Sequence, residues 1–396
     1  MKILISTDAF SPMVNGVVTS TLNLYEELTN LGHDVRILAL ASDHHSRRVG
    51  NVYYIHSFGV RFYPNARATV VYRNRYIKEI MDWKPDIIHT QTEFCTFFIA
   101  KRIARKLNIP MVHTYHTMYE HYTNYFIKSE AVGHKAVILF SKEIIKSVAA
   151  VIAPTVKTKN TLEHYGVQTP IEVIPTGLKL DKFQKHMSYE ERTVRRKALG
   201  INETDKVLIT VGRLGSEKNI DEILSNMVEV LKKHHDVKLL IVGDGPHREA
   251  LEEEAQRLQI AENVIFTGMV PLEEVDKYYK LGDIFVSASV SETQGLTYIE
   301  ALISGLPLLC REDDCLKGVL EDGKNGFSYK SKAECLEYLR LLLQDERLCD
   351  RLGVNAAQGA QKFSSKAFGK SAEELYERVI AEYKKASYHY EDTLSV

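Results

Sequence analysis

The sequence predicts an α/β fold of two doubly wound halves. Short apolar runs alternate with helix-length stretches along the whole chain. The runs are apolar throughout rather than alternating, as in parallel strands buried on both faces. The series also restarts once, after Pro175-Thr176-Gly177, and 396 residues suffice for two ordinary domains, each with its own core.

In the first half, Lys2–Thr7 reads as a strand, Phe10–Asn15 as a loop, and the chain from Gly16 to about Leu31 as a helix stopped by Gly32. Val35–Leu40, Ile87–Thr90, Met111–His116, Ala150–Pro154 and Glu172–Ile174 read as further strands. The charged stretch Asp181–Arg196 reads as a linker. A second strand series follows at Val207–Val211, Lys238–Val242, Val264–Thr267, Ile284–Ser287 and Leu308–Cys310. The expected domains are 1–180 and 181–371, with a cleft between them, and a final helix in 372–396 that crosses back to the first. No repeat of solenoid length and no sustained leucine heptad is present.

Five scattered cysteines without a CxxC pair fit a reducing cytoplasm. Met1-Lys2 leads straight into a strand, so no signal peptide is expected, and no apolar run reaches the ~18 residues that span a bilayer. The net charge of −1 divides into +7 for residues 1–180 and −8 for the remainder. A basic half joined to an acidic one suggests an anionic partner for the first, either nucleic acid or a membrane surface. No nucleic-acid reader motif or aromatic stacking platform is visible, so nucleic acid is not the expected partner.

Two signals carry chemistry. Gly212-Arg213-Leu214-Gly215-Ser216-Glu217-Lys218-Asn219 follows one strand, and Glu292-Thr293-Gln294-Gly295-Leu296-Thr297-Tyr298-Ile299-Glu300 follows another. Arg213 offers a planar fork for phosphate and Lys218 a mobile point charge. A helix starting at Leu296 would turn backbone N–H groups toward an anion beside Gly295. Glu292 and Glu300 accept hydrogen bonds only, so sugar hydroxyls suit them. Singly, each feature is commonly a solvated charge or a surface ion pair. Their order and spacing describe a nucleotide-sugar site. Gly16, at a helix start, would let a phosphate approach; the alternative is an ordinary turn glycine. Val242-Gly243-Asp244-Gly245-Pro246 lacks the third glycine of a dinucleotide fingerprint and reads as a turn lining the base and ribose.

These motifs, with Phe266-Thr267-Gly268 and Asn325-Gly326-Phe327, resemble the retaining GT-B glycosyltransferases of family 4 over almost the whole chain. Gly16-Val17-Val18-Thr19-Ser20, Tyr115-His116-Thr117-Met118-Tyr119-Glu120 and Asp313-Asp314-Cys315-Leu316 are most similar to the bacterial diacylglycerol glucosyltransferases within it. The resemblance implies a hexosyltransferase that retains the α configuration, with UDP-glucose as donor ahead of UDP-galactose and GDP-mannose, and a diacylglycerol or glycosyl-diacylglycerol as acceptor. It implies donor contacts from Gly16, Arg213, Lys218, Gly243, Glu292, Gly295, Leu296 and Glu300. Catalysis would fall to Arg213, Lys218 and Glu292, and to His116 beside the transferred sugar. His113, three residues earlier, should point to the other face. No cofactor is implied. No Asp-x-Asp or HExxH occurs, so protein cations are expected in place of a metal. The rival within the family is a transferase for a soluble or polysaccharide acceptor.

Lys135, Lys142 and Lys146 share one helical face. With Arg102, Arg105 and the nearby aromatics Tyr119 and Tyr122, they suit an anionic membrane interface. Solvated charge and core aromatics are the plain alternative. The expected location is cytoplasmic, peripheral to the inner face of the cell membrane.

Overall fold

The computed structural model describes residues 1–13, 15–60, 67–117 and 130–394, with side chains throughout these except 130–132 and 387–394. It divides into two units, Met1–Leu178 with Ser365–Val396, and Lys179–Ser364.

The first unit is built on strands β1 (Lys2–Thr7), β2 (Asp34–Leu40), β3 (Arg47–Val49), β4 (Val52–Ile55), β7 (Ile87–Thr90), β8 (Met111–Thr114), β9 (Ala150–Ala153) and β10 (Ile171–Val173), with a two-stranded ribbon of β5 (Phe58–Gly59) and β6 (Arg67–Ala68) beside them. The sheet order is β10-β9-β8-β7-β1-β2-β4-β3. Every neighbouring pair is parallel except β3 with β4. Its helices are α1 (Gly16–Asn30), α2 (Arg75–Trp83), α3 (Cys95–Leu107), α4 (Glu130–Ile145) and α5 (Val156–His164). Alternation along β1 sends Leu4 to one face, where Phe97 and Ile103 of α3 and Ile144 of α4 cover it. Ile3 and Ile5 go to the other, against Leu24 and Leu28 of α1. Asn15 caps α1, its Oδ1 accepting from the Val18 N–H at 3.0 Å.

The second unit contains helices α6 (Leu180–Gln184), α7 (Tyr189–Ala198), α8 (Ile220–Leu231), α9 (Arg248–Arg257), α10 (Val275–Tyr279), α11 (Leu296–Ile303), α12 (Lys332–Gln344) and α13 (Glu346–Gly359). They surround β11 (Lys206–Val211), β12 (Val237–Val242), β13 (Val264–Phe266), β14 (Ile284–Ser287), β15 (Leu308–Arg311) and β16 (Gly326–Tyr329), an all-parallel sheet in the order β13-β12-β11-β14-β15-β16.

Three sequence expectations need correction. The charged stretch 181–196 is no linker. It forms α6 and α7, and Arg196, only 3% exposed, donates to the Leu281 carbonyl at 2.7 Å and to Asp283 at 2.9 Å. Charge there serves packing, because a buried guanidinium must be fully hydrogen-bonded. The final helix, α14 (Ser365–Leu394), begins seven residues before 372. Its Ser365 hydroxyl donates to Glu27 of α1 at 2.5 Å, and Phe368, Leu375 and Tyr376 join the core beneath β1. The strand from Met111 ends at Thr114, so His116 lies two residues past it.

Each sheet has one point where its order reverses. In the first unit it lies between β1 and β7, and in the second between β11 and β14. Open parallel sheets bind ligands outside the carboxyl ends of the strands at such points.

Candidate functional site

The second unit places both sequence signals at its reversal point. The loop after β11 carries Arg213 and Lys218, and the loop after β14 carries Glu292 and Gly295. The two loops are tied together. Asn219 donates to the Ala288 carbonyl at 3.1 Å, Ser291 donates to the Glu217 carbonyl at 3.3 Å, and Lys218 is paired with Glu292. Arg213 is paired with Glu217. Each cation is thus held by a carboxylate that fixes where its head group lies. Ser289 also donates to Glu292 at 3.1 Å.

Two glycines here have physical reasons. Gly295 precedes α11 with φ +69°, and a Cβ on it would lie 2.5 Å from the ring of Tyr298. That ring is buried and hydrogen-bonded to Ser287, so it cannot yield. With no side chain at Gly295, the first N–H groups of α11 are approachable from the loop. Gly243, after β12, has φ +134°, and its Cβ would sit 1.9 Å from the Gly212 carbonyl oxygen. The turn at Gly243 packs directly on the Arg213 loop, and the Leu214 N–H donates to the Asp244 carbonyl at 2.9 Å.

Glu300 lies on α11 and is half-buried. The hydroxyl of Tyr279 donates to its Oε2 at 2.7 Å. Burial raises the Glu300 carboxyl to about 7, against the lowering influence of Tyr279 and Lys182. A carboxylate poised so near neutrality gains from any hydroxyl donor that reaches it. Tyr279 carries no signal in the sequence, since it lies 21 positions from Glu300 on another element.

The first unit has its own polar cluster at the strand ends. His116 is half-buried, and its Nε2 meets the Gln91 Oε1 at 2.8 Å. Burial, aided by His113, drives its pKa down to about 3, so the ring is neutral. His113 is fully buried, paired with Glu93 at 3.1 Å and packed on Phe97. The two histidines therefore contact different groups, and His113 serves the core. Asp8, just past β1, accepts from the Thr92 hydroxyl at 2.6 Å and from the Thr96 N–H at 3.0 Å. It thereby caps α3, whose own N-cap residue is Phe94. Burial raises Asp8 to about 6. Asp8 and Gln91 were missed in the sequence, although both directly follow strand ends at a reversal of strand order. Gly16 is the exposed first residue of α1.

Lys135 and Lys142 are exposed on α4 with Leu139 between them, itself 69% exposed, and exposed Lys146 follows in the turn just past its end. Exposed Phe94 and Phe98 lie at the start of α3, on the same stripe as Arg102 and Arg105, and Phe94 stacks on Phe140 of α4. Tyr119 and Tyr122 lie outside the described residues. No helix among the described residues is long and apolar enough to cross a membrane.

Comparison with known proteins adds a family to this geometry. The model of "Glycosyltransferase Family 4" matches residues 14–182, and that of "Glycosyl transferases group 1" matches 191–359. An alpha-monoglucosyldiacylglycerol synthase of Streptococcus pneumoniae is 35% identical, covering 95% of this chain and 85% of its own.

The chain belongs to glycosyltransferase family 4.

A synthase of the same name from Acholeplasma laidlawii is 31% identical to this glycosyltransferase, over 95% of the chain and 96% of its own. Among solved structures, sucrose-phosphate synthase of Thermosynechococcus elongatus matches with TM-score 0.77 at 19% identity, covering 96% of this chain and 99% of its own. Anabaena HepE in complex with UDP matches with TM-score 0.75 at 15% identity, covering 96% and 100%. The fold of the glycosyltransferase is GT-B, with two Rossmann-like units.

Proposed function

We propose that this glycosyltransferase moves glucose from UDP-glucose to a diacylglycerol or glycosyl-diacylglycerol at a membrane surface, with retention of the α configuration and without a metal. The observation that carries the donor half is the meeting of Arg213, Lys218, Glu292 and the N-terminus of α11 at one reversal point of strand order. The acceptor half is supported by the two synthases, both named for monoglucosyldiacylglycerol and both similar over 95% of the chain.

In this reading the second unit binds the donor and the first the acceptor. Glu300 accepts from the ribose hydroxyls, and Glu292 from the sugar. Arg213, Lys218 and the N–H groups at Gly295 and Leu296 hold the diphosphate, with Gly243 shaping the turn beneath and Gly16 leaving room for phosphate. As the bond between the sugar's anomeric carbon and the diphosphate breaks, those donors stabilise the charge that develops. The departing phosphate takes the acceptor's proton, and the acceptor oxygen bonds the same face of the sugar. His116 orients the sugar. Neutral at physiological pH, it serves through hydrogen bonds rather than charge.

The basic and apolar face of α3 and α4 would rest on anionic lipid, with Phe94, Phe98 and Leu139 entering the headgroup region. The protein would then work at the inner face of the cell membrane without an inserted helix. Thin-layer analysis of lipid incubated with labelled UDP-glucose, UDP-galactose or GDP-mannose tests the proposal. Label should enter lipid from UDP-glucose. Label appearing only in a water-soluble product would instead favour the soluble-acceptor reading.

A further inference from the structure

His116 does not hang alone from its loop. Its Nε2 meets the Gln91 side-chain oxygen at 2.8 Å, and the Gln91 side-chain nitrogen meets Nε2 of His89 at 3.0 Å. The other nitrogen of His89 meets the Tyr376 hydroxyl of α14 at 2.5 Å. His89 and Tyr376 are fully buried and Gln91 is 1% exposed, so this chain of contacts is shielded from water.

A neutral imidazole has one N–H and one lone pair. Both rings are held neutral. Burial, with repulsion from its neighbours, pushes the His89 pKa well below the usual histidine range, as burial does for His116. An amide has one accepting end and one donating end. A single amide bridging two neutral rings therefore requires an N–H from one and a lone pair from the other. Here its oxygen faces His116, which must present Nε2–H, and its nitrogen faces His89, which must present a lone pair. The Thr114 hydroxyl, 2.7 Å from the same His89 nitrogen, can turn its proton to that nitrogen and so fits this tautomer. The proton of His89 then sits on Nδ1, donated to the Tyr376 oxygen.

We propose that Gln91 is a positioning residue for catalysis: it locks His89 and His116 into opposite tautomers and so places the lone pair of His116 on Nδ1. This inference rests on the reading of His116 as the residue that orients the transferred sugar. A lone pair on Nδ1 accepts from a sugar hydroxyl, whereas the other tautomer would only donate at that atom. The chemical partner is thus a hydroxyl acting as donor. Through His89 the register of protons reaches α14, which ties the ring to the core of the first unit.

Nitrogen-15 spectra of the histidine rings in the full chain read tautomers directly, with His89 and His116 assigned by single replacements. In wild type His116 should be Nε2–H and His89 Nδ1–H. Gln91→Glu offers acceptors to both rings. His89 should then move to Nε2–H, and His116 should titrate at higher pH. Gln91→Leu removes the bridge and should lower kcat about 10- to 100-fold at little-changed donor KM, because misplaced contacts cost on that scale. Gln91→Glu should instead give a rate that rises with pH as His116 loses its proton. Identical tautomers in wild type, or an unmoved His89 in Gln91→Glu, would overturn the inference. Full turnover by His116→Ala would remove the reading of His116 itself, whatever the tautomers prove to be.

Discussion

Glu300 stands near the middle of its titration at neutral pH, since burial lifts it to about 7. Its folded value lies above its ordinary one. Its contribution to stability is therefore fully present below the ordinary carboxylate range and is lost as pH rises through about 7. Nucleotide hydroxyls favour the ionised form, so UDP affinity should rise between pH 6 and 8 by up to about tenfold. UDP titrates in this range too, and Glu300→Gln, measured by calorimetry in the same buffers, isolates the protein's part. A wild-type profile that matches Glu300→Gln would dismiss the ribose assignment. Tyr279→Phe removes a hydrogen bond that lowers the Glu300 pKa, and should shift the wild-type profile toward higher pH. Glu300→Ala should weaken UDP by about one to two orders of magnitude, on a scale of roughly 1.5–3 kcal/mol for a charged hydrogen bond.

At the scale of elements, the donor loops depend on close backbone approach. Gly243→Ala combines a positive φ with a Cβ 1.9 Å from the Gly212 carbonyl oxygen. The backbone conformation alone should cost about 1–3 kcal/mol. Thermal unfolding should fall by several degrees, with loss of UDP binding, and an alanine variant that melts with wild type would refute the packing account. Legibility in the sequence follows from the same elements. The core strands and α11 announce themselves by apolar runs and by Gly295, and Leu296–Ile303 reads as a helix from the sequence alone. The helices α6 and α7 do not. Their charges read as solvated until Asp283, 87 positions from Arg196, supplies the buried partner. Asp8 and Gln91 stayed hidden for a related reason. Single polar residues at strand ends are unremarkable until the sheet order shows which ends adjoin a reversal. The short β16, carrying Gly326 and Ser328, has too little apolar character to stand out.

For the whole molecule, charge and membrane chemistry meet. With α14 counted in the first unit, that unit holds 25 Lys and Arg against 20 Asp and Glu, and the second 26 against 32. Basic residues near an anionic bilayer contribute on the order of 1 kcal/mol each, and salt screens them. Reversing Lys135, Lys142 and Lys146 to Glu should therefore abolish flotation with phosphatidylglycerol vesicles at low salt, while UDP binding, assigned to the second unit, persists. Wild-type protein that stays in the supernatant under those conditions would count against membrane docking. The proton NMR spectrum of glycolipid made from UDP-glucose and diacylglycerol in anionic vesicles, with excess EDTA, tests the account most directly. It should show a glucosyl lipid whose anomeric proton has the small coupling of an α linkage. A β linkage, or no lipid product until Mg²⁺ or Mn²⁺ is restored, would contradict it.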